Sequence, residues 1–381
     1  MLSLFSNTTR NCTTPSCHSE PHYAYLDKSS RDSAEEIRRT LDNWYNKLAP
    51  DGDGDLVQRF QSHDNWEHLA AFYELYTFAL LDGIGFSVEI HPKVSGNEGA
   101  RPDFLATNDF IEVYVEATIA TDPSSVLAGE KMIGELIDAV NSMDEKRCFL
   151  DLEFSGLPTT QPPVNQLIRR LRGWLDEINL EKIELENPPE LDWRHEDLRF
   201  KFHPLPLNFP HSPKKGDRVI ITWSDGFKSI SPQRAIRNSI VKKAKRYGVL
   251  DKPFIVCVNT FADSPKEEDF VDALYGDEQI AVQISPRGNN QHATVRAGNG
   301  AWLGKTKTRY SRLSGVLSSI FVNPWNMWEK ETCLYHNPWA CLSLEPEFWP
   351  LKQMVLNESK KRLRSIEGRE TPGVLGFADY E

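Results

Sequence analysis

The run FIEVYVEATI, residues 110–119, has the alternation of a strand and carries Glu112 and Glu116 inside an otherwise apolar stretch. These carboxylates constrain the fold more than any apolar residue does. Burying an ionised acid is costly unless a cation, a proton or hydrogen-bond donors compensate it. Upstream, RPDFLAT reads as a second strand, with Asn108-Asp109 as a two-residue hairpin turn of favoured residue types. That turn sets Thr107 against Phe110, Leu105 against Glu112 and Asp103 against Tyr114. Glu112, Tyr114, Glu116 and Thr118 then share one face, and Asp103 lies diagonal to both glutamates. Pro102 favours the extended backbone this needs. Three carboxylates so placed repel one another unless protons or a cation intervene. Hard oxygen donors on a strand suit Mg²⁺ or Mn²⁺. The ordinary alternative is a half-exposed hairpin whose glutamates face water.

With 381 residues the chain is long enough for two domains, and 39% hydrophobic with 26% charged residues is the balance of a soluble globular protein. No apolar run is long enough to span a bilayer. The N-terminus lacks the basic start and long apolar stretch of a signal peptide, so the expected location is cytoplasmic. The six cysteines read as reduced thiols, with Cys148 and Cys257 inside apolar runs. A zinc site joining CTTPSCH to Cys333, His336 and Cys341 is the weaker reading, because the spacing fits no zinc motif. A net charge of -11 argues against indiscriminate nucleic-acid binding but permits a local basic surface.

The chain reads as α/β throughout. Residues 1–30 are polar and aperiodic, and are expected to form a disordered tail. Residues 31–63 hold the amphipathic helix SAEEIRRTLDNWYNKL, with Ser33 as its cap, and the acidic loop DGDGD. That loop has Leu56 and Ser62 where a calcium loop needs Gly and Glu. Residues 64–156 read as helix, three strands, helix, strand. The first of these helices is apolar nearly all round from Leu69 to Leu81 and should be buried, with Glu74 isolated within it. Residues 157–200 read as a helix and a Pro/Glu-rich linker, 201–350 as a C-terminal α/β region, and 351–381 as a polar helix and tail.

Pro102-Asp103, Glu116 within VEAT, Glu74 on the first helix and the element order of 64–156 together resemble the PD-(D/E)XK nuclease superfamily. That is the restriction-endonuclease-like fold, with an α-β-β-β-α-β core. The resemblance covers about a quarter of the chain. It implies a mixed central sheet and hydrolysis of DNA phosphodiester bonds with Mg²⁺ or Mn²⁺. Asp103 and Glu116 would hold the metal, with Glu74 behind them positioning the attacking water. The family's lysine, two residues after the strand acid, is replaced by Thr118, or by Tyr114 if Glu112 is that acid. Some members take this lysine from a neighbouring element. Lys131 on the next helix is the first candidate here, and Lys93 the second. Without such a lysine the protein would be an inactive nuclease-fold module that binds nucleic acid or another protein. An α/β binding protein unrelated to nucleases would instead leave Asp103, Glu116 and Glu74 scattered.

The helix SPQRAIRNSIVKKAKRYG puts Ile236, Ile240, Ala244 and Tyr247 on one face and crowds Lys242, Lys243, Lys245 and Arg246 on the others. GKTKTRYSR adds Lys305, Lys307, Arg309 and Arg312. These are the expected contacts to a phosphate backbone, the alternative being a solvated charged face. A homodimer or a protein partner is compatible with the sequence, and nothing in it asks for a membrane. It holds no phosphate-binding Gly-Lys loop, dinucleotide glycine fingerprint, nucleophile elbow or HExxH helix.

Overall fold

The computed structural model describes residues 3–49, 53–94, 99, 101–143, 145, 147–183, 186–205, 218–225, 231–283, 291–304, 307–357 and 362–377. The chain forms two compact units. One comprises 1–14, 21–122 and 231–381; the other, 15–20 and 123–230.

The first unit opens with helices α1 (His22–Lys28), α2 (Asp32–Leu48), α3 (Gly54–Phe60) and α4 (Asn65–Gly83). The Asp53 carboxylate caps α3 by accepting from the backbone of Asp55 and Leu56, which is the structural use of the acidic loop. Asp64 caps α4 in the same way, through Trp66 and Glu67. Helix α2 starts at Asp32 and has no side-chain cap, so Ser33 does not take that part. Strands β1 (Ser87–Ile90), β2 (Phe104–Thr107) and β3 (Glu112–Ala120) follow as an antiparallel meander.

The chain then builds the second unit: α5 (Ser124–Asn141), β4 (Leu150–Ser155), α6 (Val164–Glu177), β5 (Leu191–His195), β6 (Leu198–Pro204) and β7 (Ile220–Asp225). Its sheet has the order β5-β6-β4-β7. Ile133 and Leu136 of α5 and Leu167 and Leu171 of α6 share a core with Leu150, Leu152 and Phe200 of that sheet.

Returning to the first unit, α7 (Pro232–Ala244), β8 (Phe254–Thr260), α8 (Glu267–Tyr275), a separate β9 (Glu278–Gln283)–β10 (Gln291–Arg296) ribbon, β11 (Gly315–Ile320), β12 (Cys333–His336), β13 (Gln353–Asn357), β14 (Arg362–Ile366) and α9 (Thr371–Val374) complete it. The sheet order is β1-β2-β3-β8-β11-β12-β13-β14. Strands β3, β8 and β11 run parallel, and β2 runs against them. Val113, Val115 and Ala117 of β3 share a core with Phe72, Tyr73 and Leu75 of α4. Tyr114 and Ala120 share the other core with Ile236 and Ile240 of α7. The sheet is thus a middle layer between α4 and α7. No helix of the described residues is long and apolar enough to cross a membrane.

Several expectations are corrected here. The helix and strand that follow β3 in the sheet are α7 and β8, whereas α5 and β4 belong to the second unit. The reason lies in burial. Every residue of β8, FIVCVNT, is buried, as a parallel strand covered on both faces requires. The alternating pattern of LDLEFS in β4 suits a sheet covered on one face. Residues 201–350 are accordingly no separate region, because β8, β11 and β12 extend the same sheet as β3. Similarly, 351–381 hold the β13–β14 hairpin instead of a polar helix, and the expected linker contains β5.

The last correction concerns residues 1–30. Leu4 and Leu26 are 0% exposed, and the Phe5 ring meets Phe60 edge-on at 5.7 Å. The Leu4 amide donates to the Asp42 carboxylate at 2.7 Å. Low average hydrophobicity concealed a few well-placed anchors. Leu4→Ala is therefore expected to lower stability by about 2–4 kcal/mol, read as a drop in the urea midpoint. A disordered tail would leave that midpoint unchanged.

Candidate active site

The β2–β3 register pairs Phe104 with Val115, Leu105 with Tyr114, Ala106 with Val113 and Thr107 with Glu112. The turn is therefore Asn108–Ile111, not Asn108-Asp109 alone. The Asn108 side chain accepts from the amides of Phe110 and Ile111, and its own amide donates to the Ile111 carbonyl. This moves the register by two residues. Facing is preserved, because side chains alternate with a period of two. Extended by one residue, the register sets Asp103 directly opposite Glu116 instead of diagonal to it. The Asp103 carboxylate accepts from the Ala117 amide at 2.7 Å, which locks it onto β3.

Glu116 is 0% exposed, in the middle of β3, on the face covered by α7. Its Oε1 receives Lys243 Nζ at 2.6 Å and Arg246 Nη1 at 3.1 Å. Its Oε2 accepts a short hydrogen bond from the Tyr247 hydroxyl, which also reaches the Arg101 carbonyl at 2.9 Å. Lys243 and Arg246 are a turn apart at the end of α7, so one helix end delivers both cations. Buried Ile236 and Ile240 fix that helix on the sheet. Glu112, by contrast, is half exposed and pairs with Lys252 at 3.1 Å. Glu116, not Glu112, is the acid of this cluster.

Glu74 lies on α4, 7% exposed, and is held by Arg59 Nη1 at 2.8 Å. Its charge is near enough to act on Asp103. Burial first, then Glu116 and Glu74, push the Asp103 carboxyl up to about 7, while Lys243 and the Ala117 amide pull the other way. A carboxyl so shifted is one whose ionised form is disfavoured mainly by burial and further by neighbouring carboxylates.

The other expected residues are placed differently. Lys131 is exposed on α5, in the second unit, and Lys93 is exposed after β1. The lysine that meets Glu116 is Lys243, expected above only as a phosphate contact. Lys242, Lys245 and Lys307 are exposed, with Lys245 Nζ 6.0 Å from the centre of the Tyr310 ring, and Lys305 lies outside the described residues. Arg312 donates to the Tyr247 carbonyl at 3.3 Å. The meeting of Lys243 and Tyr247 with Glu116 was not legible because they lie 127 and 131 positions from it. The available signal was the helix 232–244 followed by the largely apolar run FIVCV.

Among the described residues the cysteines form no zinc arrangement. Cys333 is buried, Cys341 is exposed, and His336 is occupied by the Leu344 carbonyl and the Gln353 side chain. Among the described residues no group of three His, Cys, Asp or Glu side chains forms a metal cage. Mg²⁺ does not need one, since one or two carboxylates with water and substrate phosphate complete its shell. Asp103 fits that pattern. One of its oxygens is engaged by Ala117, the other has no protein partner among the described residues, and its environment favours an added positive charge. Glu116 stands beside it, with both of its oxygens engaged by Lys243, Arg246 and Tyr247.

Comparison with protein-family models, with curated proteins and with solved structures gives no match.

Proposed function

We propose that this protein is a metal-dependent nuclease that hydrolyses DNA phosphodiester bonds. The observation that carries the reading is the meeting of Lys243 with Glu116 beside Asp103, with the charge of Glu74 acting on the same carboxyl. The series α4-β1-β2-β3-α7-β8 supports a restriction-endonuclease-like core, with the second unit inserted between β3 and α7. In this reading α7 supplies the lysine that Thr118 does not.

Asp103 and Glu116 would hold Mg²⁺ or Mn²⁺, which supplies Lewis acidity to the scissile phosphate and to water. The Lys243 ammonium lies where it can leave Glu116 for a non-bridging phosphate oxygen and stabilise charge developing there. Glu74, oriented by Arg59, would accept a hydrogen bond from the attacking water and direct its lone pair. Lys242 and Lys245, exposed beside Lys243 near the end of α7, would contact flanking phosphates.

One observation favours a second reading, a nuclease-fold module that binds nucleic acid without cutting. Both oxygens of Glu116 are already engaged, by Lys243, Arg246 and Tyr247, so its charge is satisfied within the protein. Cleavage of supercoiled plasmid and of single-stranded DNA with Mg²⁺ or Mn²⁺, beside Asp103→Ala, separates the two. Metal-dependent cutting that Asp103→Ala abolishes is the expected result. Metal-independent DNA binding without cutting would favour the second reading, and neither binding nor cutting would remove both.

A further inference from the structure

Arg38, on α2, is only 7% exposed. Its Nη1 donates to the carbonyls of Leu26 at 2.6 Å and Ser29 at 2.9 Å. Among the described residues no carboxylate pairs with it, and its Nε and Nη2 have no protein partner. Neither nitrogen is sealed from solvent. A guanidinium this buried is ordinarily paired with an acid, because its desolvation is otherwise uncompensated.

Arg38 lines a polar cleft of about 1070 Å³ within the first unit, together with Ser6, Asn7, Arg10, Arg39 and Asn43. Arg10 is already engaged by Asp27 and by the Ser6 carbonyl. Burial, first, and the nearby Arg10 hold the Arg38 guanidinium below its usual range, although the charges of Glu35, Asp27 and Asp42 pull the other way. The open Nε–Nη2 edge is the side of a guanidinium that presents two parallel N–H groups to a planar oxyanion. The cleft wall also carries Asp32, Glu35, Glu36 and Asp42, none of which forms an ion pair with Arg38. They would repel a polyanion but tolerate a ligand with one anionic group and a neutral or cationic remainder.

We propose that this cleft binds a small molecule bearing a single phosphate or carboxylate group, received on the open edge of Arg38. The site shares no residue with the Asp103–Glu116 cluster and does not depend on the nuclease reading.

The test follows the Arg38 Nε–H resonance of the full-length protein by NMR during titration with inorganic phosphate, a nucleoside monophosphate and glycine. These probes separate a phosphate from a carboxylate ligand. At least one is expected to shift that resonance with Kd of about 1 mM or tighter. Arg38→Lys keeps the charge but not the fork, and is expected to weaken that binding about tenfold or more while the melting temperature holds. No shift with any probe up to about 10 mM, or equal binding by a folded Arg38→Lys, overturns the proposal. The resonance measurement uses the unaltered protein and decides the matter even if Arg38→Lys does not fold.

Discussion

Replacing Lys243 with Met should lower DNA cleavage by about 10²–10⁴-fold, while Lys131→Ala leaves the rate unchanged. The Met side chain preserves most of the packing of the lysine stem, so the comparison isolates the ammonium. Arg246 and Tyr247 still hold Glu116, which limits the damage to the fold. A second readout separates a catalytic lysine from a merely structural one. Lys243 lowers the Asp103 pKa, so its loss moves that group above about 7. The residual activity of Lys243→Met should therefore reach its half-maximum at higher pH than the parent, in a pH–rate profile taken at fixed metal concentration. A rate that falls with no change in the profile would mean that Lys243 does not act at Asp103. Full activity in Lys243→Met would remove Lys243 from the mechanism.

Asp103→Asn should abolish cleavage and yet stabilise the fold at alkaline pH. The Asp103 carboxyl is held up to about 7 in the fold, against an ordinary 3.8. Below the lower value it is protonated in both folded and unfolded chains and makes no difference to stability. Between the two values the unfolded chain ionises and the fold resists, so stability declines as pH rises; above about 7 the penalty is constant. The amide has no such penalty and can still accept from the Ala117 amide. At pH ~8 the variant should gain about 1–3 kcal/mol over the parent, a gain that vanishes below pH ~4. Urea midpoints at the two pH values measure it. Equal destabilisation at both would mean that Asp103 serves only as a hydrogen-bond acceptor for Ala117. Stability gained by removing a charge from the proposed site would be the usual trade between folding and function.

The two predictions rest on residues that differ in how readily the chain discloses them. Asp103 and Glu116 were legible as a same-face pair even though the turn between their strands is two residues longer than its residue types suggest. Alternation along a strand has a period of two, so that error left every side chain on its proper face. Whether the acids stand opposite or diagonal is a different matter. It depends on how the Asn108 side chain caps the turn through Phe110 and Ile111, and residue preferences alone do not decide that.

Local pattern by itself determined α4 as a buried helix with a stranded carboxylate, β3 as a strand with acids on one side, and α7 as a helix with one apolar face. Each follows from periodicity over a few turns or pleats. The tertiary structure alone decided which helix and strand complete the sheet beside β3. Both α5–β4 and α7–β8 have the right local signature, and the choice turns on burial of both strand faces, which β8 satisfies and β4 does not. That choice brings Lys243 across 127 positions to Glu116. The same distinction applies to the N-terminus, where the apolar anchors Leu4 and Phe5 become structural only once α2 and α3 are there to cover them. Periodicity is a property of neighbours in sequence, whereas the compensation of a buried charge is a property of neighbours in space. The chain discloses that Glu116 requires a partner, and only the packed sheet supplies Lys243 as that partner.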